Sequence, residues 1–140
     1  IGGKEVKAYR LERIAGEKMR AFLSTLPSYR KKLSETPRAV RAKDLYDIAR
    51  IEMEYPIGEN SEFWKEVGQE FFVACKSRFV DCLGLATFAE DLDITRQTYE
   101  KDTSIPEDIS FEFAWSVITN VIALLEKQKI VPFSFPLAER

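Results

Sequence analysis

Lys18 stands in the middle of an otherwise apolar helical stripe formed by Leu11, Ile14, Ala15, Met19, Phe22, Leu23 and Leu26, and some twenty residues later comes the run Arg41-Ala42-Lys43-Asp44-Leu45-Tyr46-Asp47. Positions recurring at i, i+3, i+4 and i+7 form the buried face of a helix, so an ammonium among them needs an anionic partner. A carboxylate or a phosphate serves equally. In the second run, Asp44 and Asp47 are three apart and Lys43 and Asp47 four apart, spacings that make neighbours on a helix surface and let Lys43 pair with Asp47. Ammonium, guanidinium and carboxylate in one cluster are the groups that handle phosphates and magnesium.

Each residue also has a plainer role. Carboxylates in a first helical turn satisfy free N–H groups and the macrodipole, which is enough to explain Asp44 beside Arg41. Lys18 can snorkel to water from the core edge, or be held by Glu17 or a carboxylate of the second helix as a structural ion pair. Spacing does not choose between these.

Composition narrows the chemistry further. The chain has no histidine, which removes Ser-His-Asp triads, imidazole metal sites and the commonest proton shuttle. Cys75 and Cys82, the two cysteines, cannot hold zinc alone. If one helix carried both, their seven-residue spacing would put them about 10 Å apart, too far for a disulfide, so they read as packed free thiols of a reducing compartment. Two motifs are decoys. Gly2-Gly3 lacks the further glycine and the lysine-serine pair of a phosphate loop. Asp91-Leu92-Asp93 has the Asp-x-Asp form of a magnesium pair, but residues two apart on a helix diverge by about 200° and cannot share one ion. The basic run Tyr29-Arg30-Lys31-Lys32, with Arg38 and Arg41, is able to touch phosphate backbones, although such runs are usually solvated loops.

The elements that must position these groups are helical. Periodicity predicts helices over residues 10–26, 42–55, 60–80, 87–99 and 110–125. Leu26-Pro27 stops the first, and Ser28 to Val40 reads as a loop or short helix closed by Pro37. In the second, Leu45, Ile48, Ala49 and Met53 face inward. Asn60 and Ser61 cap the third, whose stripe of Trp64, Val67, Phe71, Cys75, Phe79 and Cys82 is the strongest core signal. Gly84 breaks it, and Thr87 with Glu90 forms a capping box that opens the fourth, ended by Ile105-Pro106. Ser110 caps the fifth, with Phe111, Ala114, Trp115, Ile118, Val121, Ile122 and Leu125 inward, and the tail from Ile130 to Pro136 is too proline-broken for helix. The expected architecture is an all-α bundle of about five helices in a single domain spanning the 140 residues.

Net charge is −2, but residues 1–50 carry 13 Lys/Arg against 6 Asp/Glu while the remainder is acidic, so a polyanion would meet the first third. No stretch has the ~18–20 apolar residues of a membrane span and no signal pattern opens the chain, so a cytoplasmic protein is expected. The first residues, Ile1-Gly2-Gly3, include no initiator Met, which suggests part of a longer protein.

The chain resembles the helical C-terminal part of the AbiEii-type abortive-infection nucleotidyltransferase toxins, within the polymerase-beta-like superfamily. The likeness rests on Tyr9-Arg10-Leu11-Glu12 leading into Glu17-Lys18-Met19-Arg20-Ala21, and on the run from Arg41 to Asp47. It continues more loosely over Ser110 to Trp115 and Pro132 to Pro136. The resemblance implies a two-part α/β plus α enzyme that moves a nucleoside monophosphate from a nucleotide triphosphate to an acceptor such as tRNA, as the toxin of a type IV toxin–antitoxin pair with a cognate antitoxin protein. It implies Lys18 as the lysine directed at the triphosphate and Asp44 as the aspartate completing the active site, with Arg41, Lys43 and Asp47 around them in substrate binding. Mg2+ would enter with the substrate, held mainly by an N-terminal half that carries the glycine turn and Asp-x-Asp pair. That half is missing from the sequence, so these residues alone should be catalytically silent. The alternative is a non-catalytic helical module that binds RNA or a protein through its basic first third.

Overall fold

Apolar stripes at helical spacing dictate the architecture, and the computed structural model, which describes residues 10–33, 36 and 39–135 without the side chains of Lys31 and Thr87, turns them into an all-α bundle. Helix α1 is Leu11–Ser24, α2 Pro27–Lys32, α3 Ala42–Glu54, α4 Ser61–Arg78, α5 Leu85–Phe88, α6 Leu92–Lys101 and α7 Phe111–Lys127. A single 3-10 turn, Ala89–Asp91, joins α5 to α6. Among the described residues no strand forms, and Cys82 and Phe133 make an isolated antiparallel bridge.

Helix α1 packs on α4 and α3, and α3 packs in turn on α7. The α1–α4 approach is close because Gly16 has no side chain; a Cβ there would lie 2.7 Å from the backbone nitrogen of Phe71. Phe22, Met19, Leu45, Ile48, Trp64, Phe71, Ile118 and Leu125 are almost wholly sequestered and belong to one contiguous core. Trp64 also donates its indole N–H to the Tyr55 carbonyl at 2.7 Å, which satisfies both a buried donor and the end of α3.

The helix starts and stops correct several expectations. Proline at the first position of a helix loses no bond, and Pro27 accordingly opens α2, the short helix of the two readings of this segment. Helix α4 stops at Arg78 because Phe79 takes a left-handed conformation with φ 60°, so Cys82 lies beyond the helix instead of on its stripe. Phe79 itself is only half-buried. Asn60 does not cap α4 with its side chain, which donates to the Pro56 carbonyl at 2.9 Å. Thr87 falls inside α5 and so opens no helix. Helix α6 ends at Lys101, ahead of Ile105-Pro106. Ser110 does cap α7, accepting from the Phe113 N–H at 3.1 Å. Met53 is 53% exposed rather than inward, and Trp115 is half-buried. Gly2-Gly3, Tyr9, Pro37, Arg38, Pro136 and the side chain of Lys31 lie outside the described residues.

Candidate active site

Two helices bring the five candidate residues together. Lys18 projects from α1, two turns before its end, and Lys43, Asp44 and Asp47 project from the first turns of α3, with Arg41 just before it. The start of α3 is tied to the end of α1 by Thr25. Its hydroxyl donates to the Phe22 carbonyl at 2.9 Å and accepts the Arg41 N–H at 3.0 Å. That clasp fixes where Arg41 and the following turn sit.

Lys18 Nζ donates to Asp47 Oδ2 at 2.9 Å and lies 3.8 Å from Asp44 Oδ1. The partner left open by the stripe is therefore a pair of carboxylates on α3, with Glu17 turned to Arg20 instead. Arg41 Nε donates to Asp44 Oδ2 at 2.7 Å, and Lys43 Nζ is 3.7 Å from Asp47 Oδ1. The cluster is a zigzag of alternating charge across the α1–α3 seam. Hydrogen bonding to Asp44 holds the Arg41 guanidinium above its ordinary value.

Burial differs sharply along the zigzag. Asp44 is 2% exposed, whereas the Lys18 side chain is 31% exposed. The stripe predicts a buried ammonium, and the structure corrects this: Leu11 and Ile14 are themselves only half-buried, so Lys18 lies at the rim of the core and its head reaches solvent. Asp44 makes no capping bond to the helix N–H groups; its carboxylate is spent on the two cations instead.

Two openings flank the cluster. On one side a cavity of about 290 Å³ is lined by Lys18, Arg41, Lys43, Asp44, Asp47 and Asp102. On the other a groove of about 420 Å³ is lined by Arg13, Glu17, Lys18, Arg20, Arg41 and Arg78. Lys18 and Arg41 form the wall between them.

Asp102, Arg13, Arg20 and Arg78 were not legible as site residues. Asp102 comes from the loop after α6, where the Ser104 hydroxyl and N–H donate to it at 2.6 and 2.8 Å and hold its carboxyl below the usual carboxylate range. Its Asp-x-Ser pattern signals only a turn. Arg13 and Arg20, seven apart, share one face of α1, a charge spacing that apolar periodicity does not record.

Two cations of the basic run, Arg30 and Lys32, are turned inward. Arg30 is 7% exposed, and Lys32 pairs with Asp81 at 2.7 Å. Tyr29 donates to the Phe79 carbonyl at 3.2 Å. Arg10 bridges Glu66 and Glu70 on α4, and Arg50 meets Asp108. Part of the charge asymmetry along the chain is thus internal complementarity, and the groove is a cationic surface among the described residues.

Metal chemistry finds little support in these side chains. Among the described residues no three of Cys, Asp and Glu converge as a metal site, and the oxygens of Asp44 and Asp47 already face three cations. Asp91 and Asp93 part as their spacing requires, Asp91 buried and Asp93 exposed. These residues do not form a magnesium cage.

Residues 2–113 match the family described as nucleotidyl transferase AbiEii toxin, type IV toxin–antitoxin system. The match covers most of the chain, and the chain belongs to that family. No curated protein and no solved structure matches it. No helix among the described residues is long and apolar enough to cross a membrane.

Proposed function

We propose that this chain is the helical half of a nucleotidyltransferase toxin, in which the groove between Arg13 and Arg78 receives the phosphates of a nucleoside triphosphate at the wall formed by Lys18 and Arg41. The observation that carries this reading is the position of those two cations, shared between a basic groove and a carboxylate-lined cavity. An ammonium has three donors and a guanidinium five; the carboxylates occupy part of each set and orient the rest. Such preorganised charge is worth most against the oxygens of a transferring phosphoryl group, where catalysis is mainly positioning and electrostatics.

In the transfer, an acceptor hydroxyl oxygen bonds the α-phosphorus and yields its proton to solvent as the bond to the β-phosphate oxygen breaks, releasing pyrophosphate. Lys18 and Arg41 would offset the charge that gathers on the phosphate oxygens. Asp44 and Asp47 hold both cations in place, and Lys43 trims the charge of Asp47. Magnesium would accompany the triphosphate, with its ligands supplied by an N-terminal half bearing an Asp-x-Asp pair. The acceptor we propose is an RNA such as tRNA, and the cytoplasm is its compartment. A cognate antitoxin is the partner that family membership suggests.

Radiolabelled nucleotide transfer by the full-length gene product tests this. Lys18→Ala and Arg41→Ala should each lower transfer at least a hundredfold without unfolding the protein. Wild-type rates in both would end the reading.

A further inference from the structure

A second cavity, of about 300 Å³, lies away from the Lys18 cluster, between the end of α1, helix α2 and the segment from Asp81 to Gly84. Leu23, Leu26 and Phe88 make an apolar wall, Tyr29 adds a ring, and Leu83, 53% exposed, lines the same opening. Three charged side chains line this space, Lys32, Asp81 and Asp91. Lys32 is consumed: it pairs with Asp81 at 2.7 Å and donates to the carbonyls of Phe79 and Phe135 at 3.4 and 3.2 Å. Asp81 is likewise filled, accepting the Phe135 N–H at 2.8 Å as well.

Asp91 is different. It is 5% exposed and makes no ion pair among the described residues; Oδ2 accepts one hydrogen bond, from Ser28 Oγ at 2.8 Å. It sits at the N-terminus of α6 but makes no side-chain capping bond there, so the helix offers it only a partial charge. Oδ1 accepts no hydrogen bond among the described residues, and Asp91 lines the cavity. A carboxylate removed from water and left with one donor calls for a cation. With Lys32 and Asp81 cancelling, Asp91 is the one carboxylate of the described lining residues without a cationic partner, set in a largely hydrocarbon wall.

We propose that this cavity binds a primary ammonium on a short apolar stem, the nitrogen against Asp91 and the stem against Leu23, Leu26 and Phe88. Its volume of about 300 Å³ is at the small end for ligand sites and has room for a stem of a few carbons. The chemistry has two sources, a free alkylamine or a lysine side chain of a partner polypeptide. This site shares no residue with the Lys18 cluster, so it stands whether or not that cluster transfers nucleotides.

Calorimetric titration of the chain at neutral pH, where alkylamines are protonated, with pentylammonium, pentanol and Nα-acetyl-lysine methylamide tests it. The expected result is saturable pentylammonium binding with Kd on the order of 1 mM, at least tenfold weaker for pentanol and for Asp91→Asn, and unchanged in Lys18→Ala. The pentanol arm uses the wild-type chain, so it stands even if Asp91→Asn fails to fold. Binding of the blocked lysine as well assigns the site to a side chain; its exclusion assigns a free amine. Equal affinity for pentylammonium and pentanol, or no saturable binding of either amine, overturns the proposal.

Discussion

Lys18 on α1 and Asp47 on α3 meet at 2.9 Å across the helix seam, with Asp44 0.9 Å further from the same nitrogen at 3.8 Å. The nearer carboxylate is the more exposed one, 24% against 3% for the two side chains, so the shortest contact is also the more solvent-screened. The two partners of Lys18 should therefore differ in what they contribute.

Lys18→Ala should cost only about 1 kcal/mol of stability, because the ammonium is already a third exposed and Arg41 and Lys43 remain to face the carboxylates. Asp44→Ala should cost more, about 2–3 kcal/mol, since it removes the buried anion that holds two cations. Urea unfolding of both variants checks the order. A loss of ~4 kcal/mol in Lys18→Ala would make the cluster a structural pair above all.

The contact between α1 and α4 gives a second expectation, independent of charge. Gly16→Ala forces a Cβ to within 2.7 Å of the Phe71 nitrogen and 2.9 Å of the Glu70 Cβ, and backbone cannot step aside without moving the helix. A loss of about 2–3 kcal/mol follows. At Gly68 the first atom met is the Cδ2 of Leu125, the end of a flexible side chain, and alanine regains ~1 kcal/mol of helix propensity, so Gly68→Ala should fall within ~1 kcal/mol of wild type. Unfolding midpoints in the reverse order would show that the helix approach is looser than drawn.

Much of this was legible from residue spacing, and the misses share a cause. The Lys18 stripe and the Asp44 turn were visible because a charge interrupts a regular pattern, and regular patterns are what spacing records. The partner of Lys18 was not, since Asp47, Asp44 and Glu17 were equally reachable until α1 and α3 were laid together. Cys82 kept helical spacing from Cys75 although the helix had stopped at Arg78, because the stop is a left-handed Phe79 in place of the usual glycine. Met53 kept the period of α3 in its final turn, where burial depends on whether a neighbouring helix reaches that far. The groove escaped notice because Arg78 joins Arg13 and Arg20 from another helix.

The thiols set a pH dependence. Burial pushes Cys82 from an ordinary value of 9.0 up to about 12, and raises Cys75 more strongly. In the unfolded chain both ionise near pH 9.0, while in the folded chain they keep their protons, so the unfolded state binds fewer protons above that pH. Their contribution is fully present below pH 9 and is lost as pH rises toward 12, by about 2 kcal/mol for Cys82 at about pH 10.5. Urea unfolding between neutral pH and this range should show a steeper decline in wild type than in a Cys75→Ala, Cys82→Ala double variant. Parallel declines would mean that the thiols ionise freely in the folded protein.

Equilibrium binding of inorganic tripolyphosphate to the chain asks whether the wall between the two openings receives phosphates. Saturable binding that weakens at least tenfold in Lys18→Ala and in Arg41→Ala, yet stays unchanged in Arg50→Ala, a residue of α3 whose guanidinium pairs with Asp108 in the loop before α7, is the expected result. Equal affinity in wild type and all three variants would contradict it.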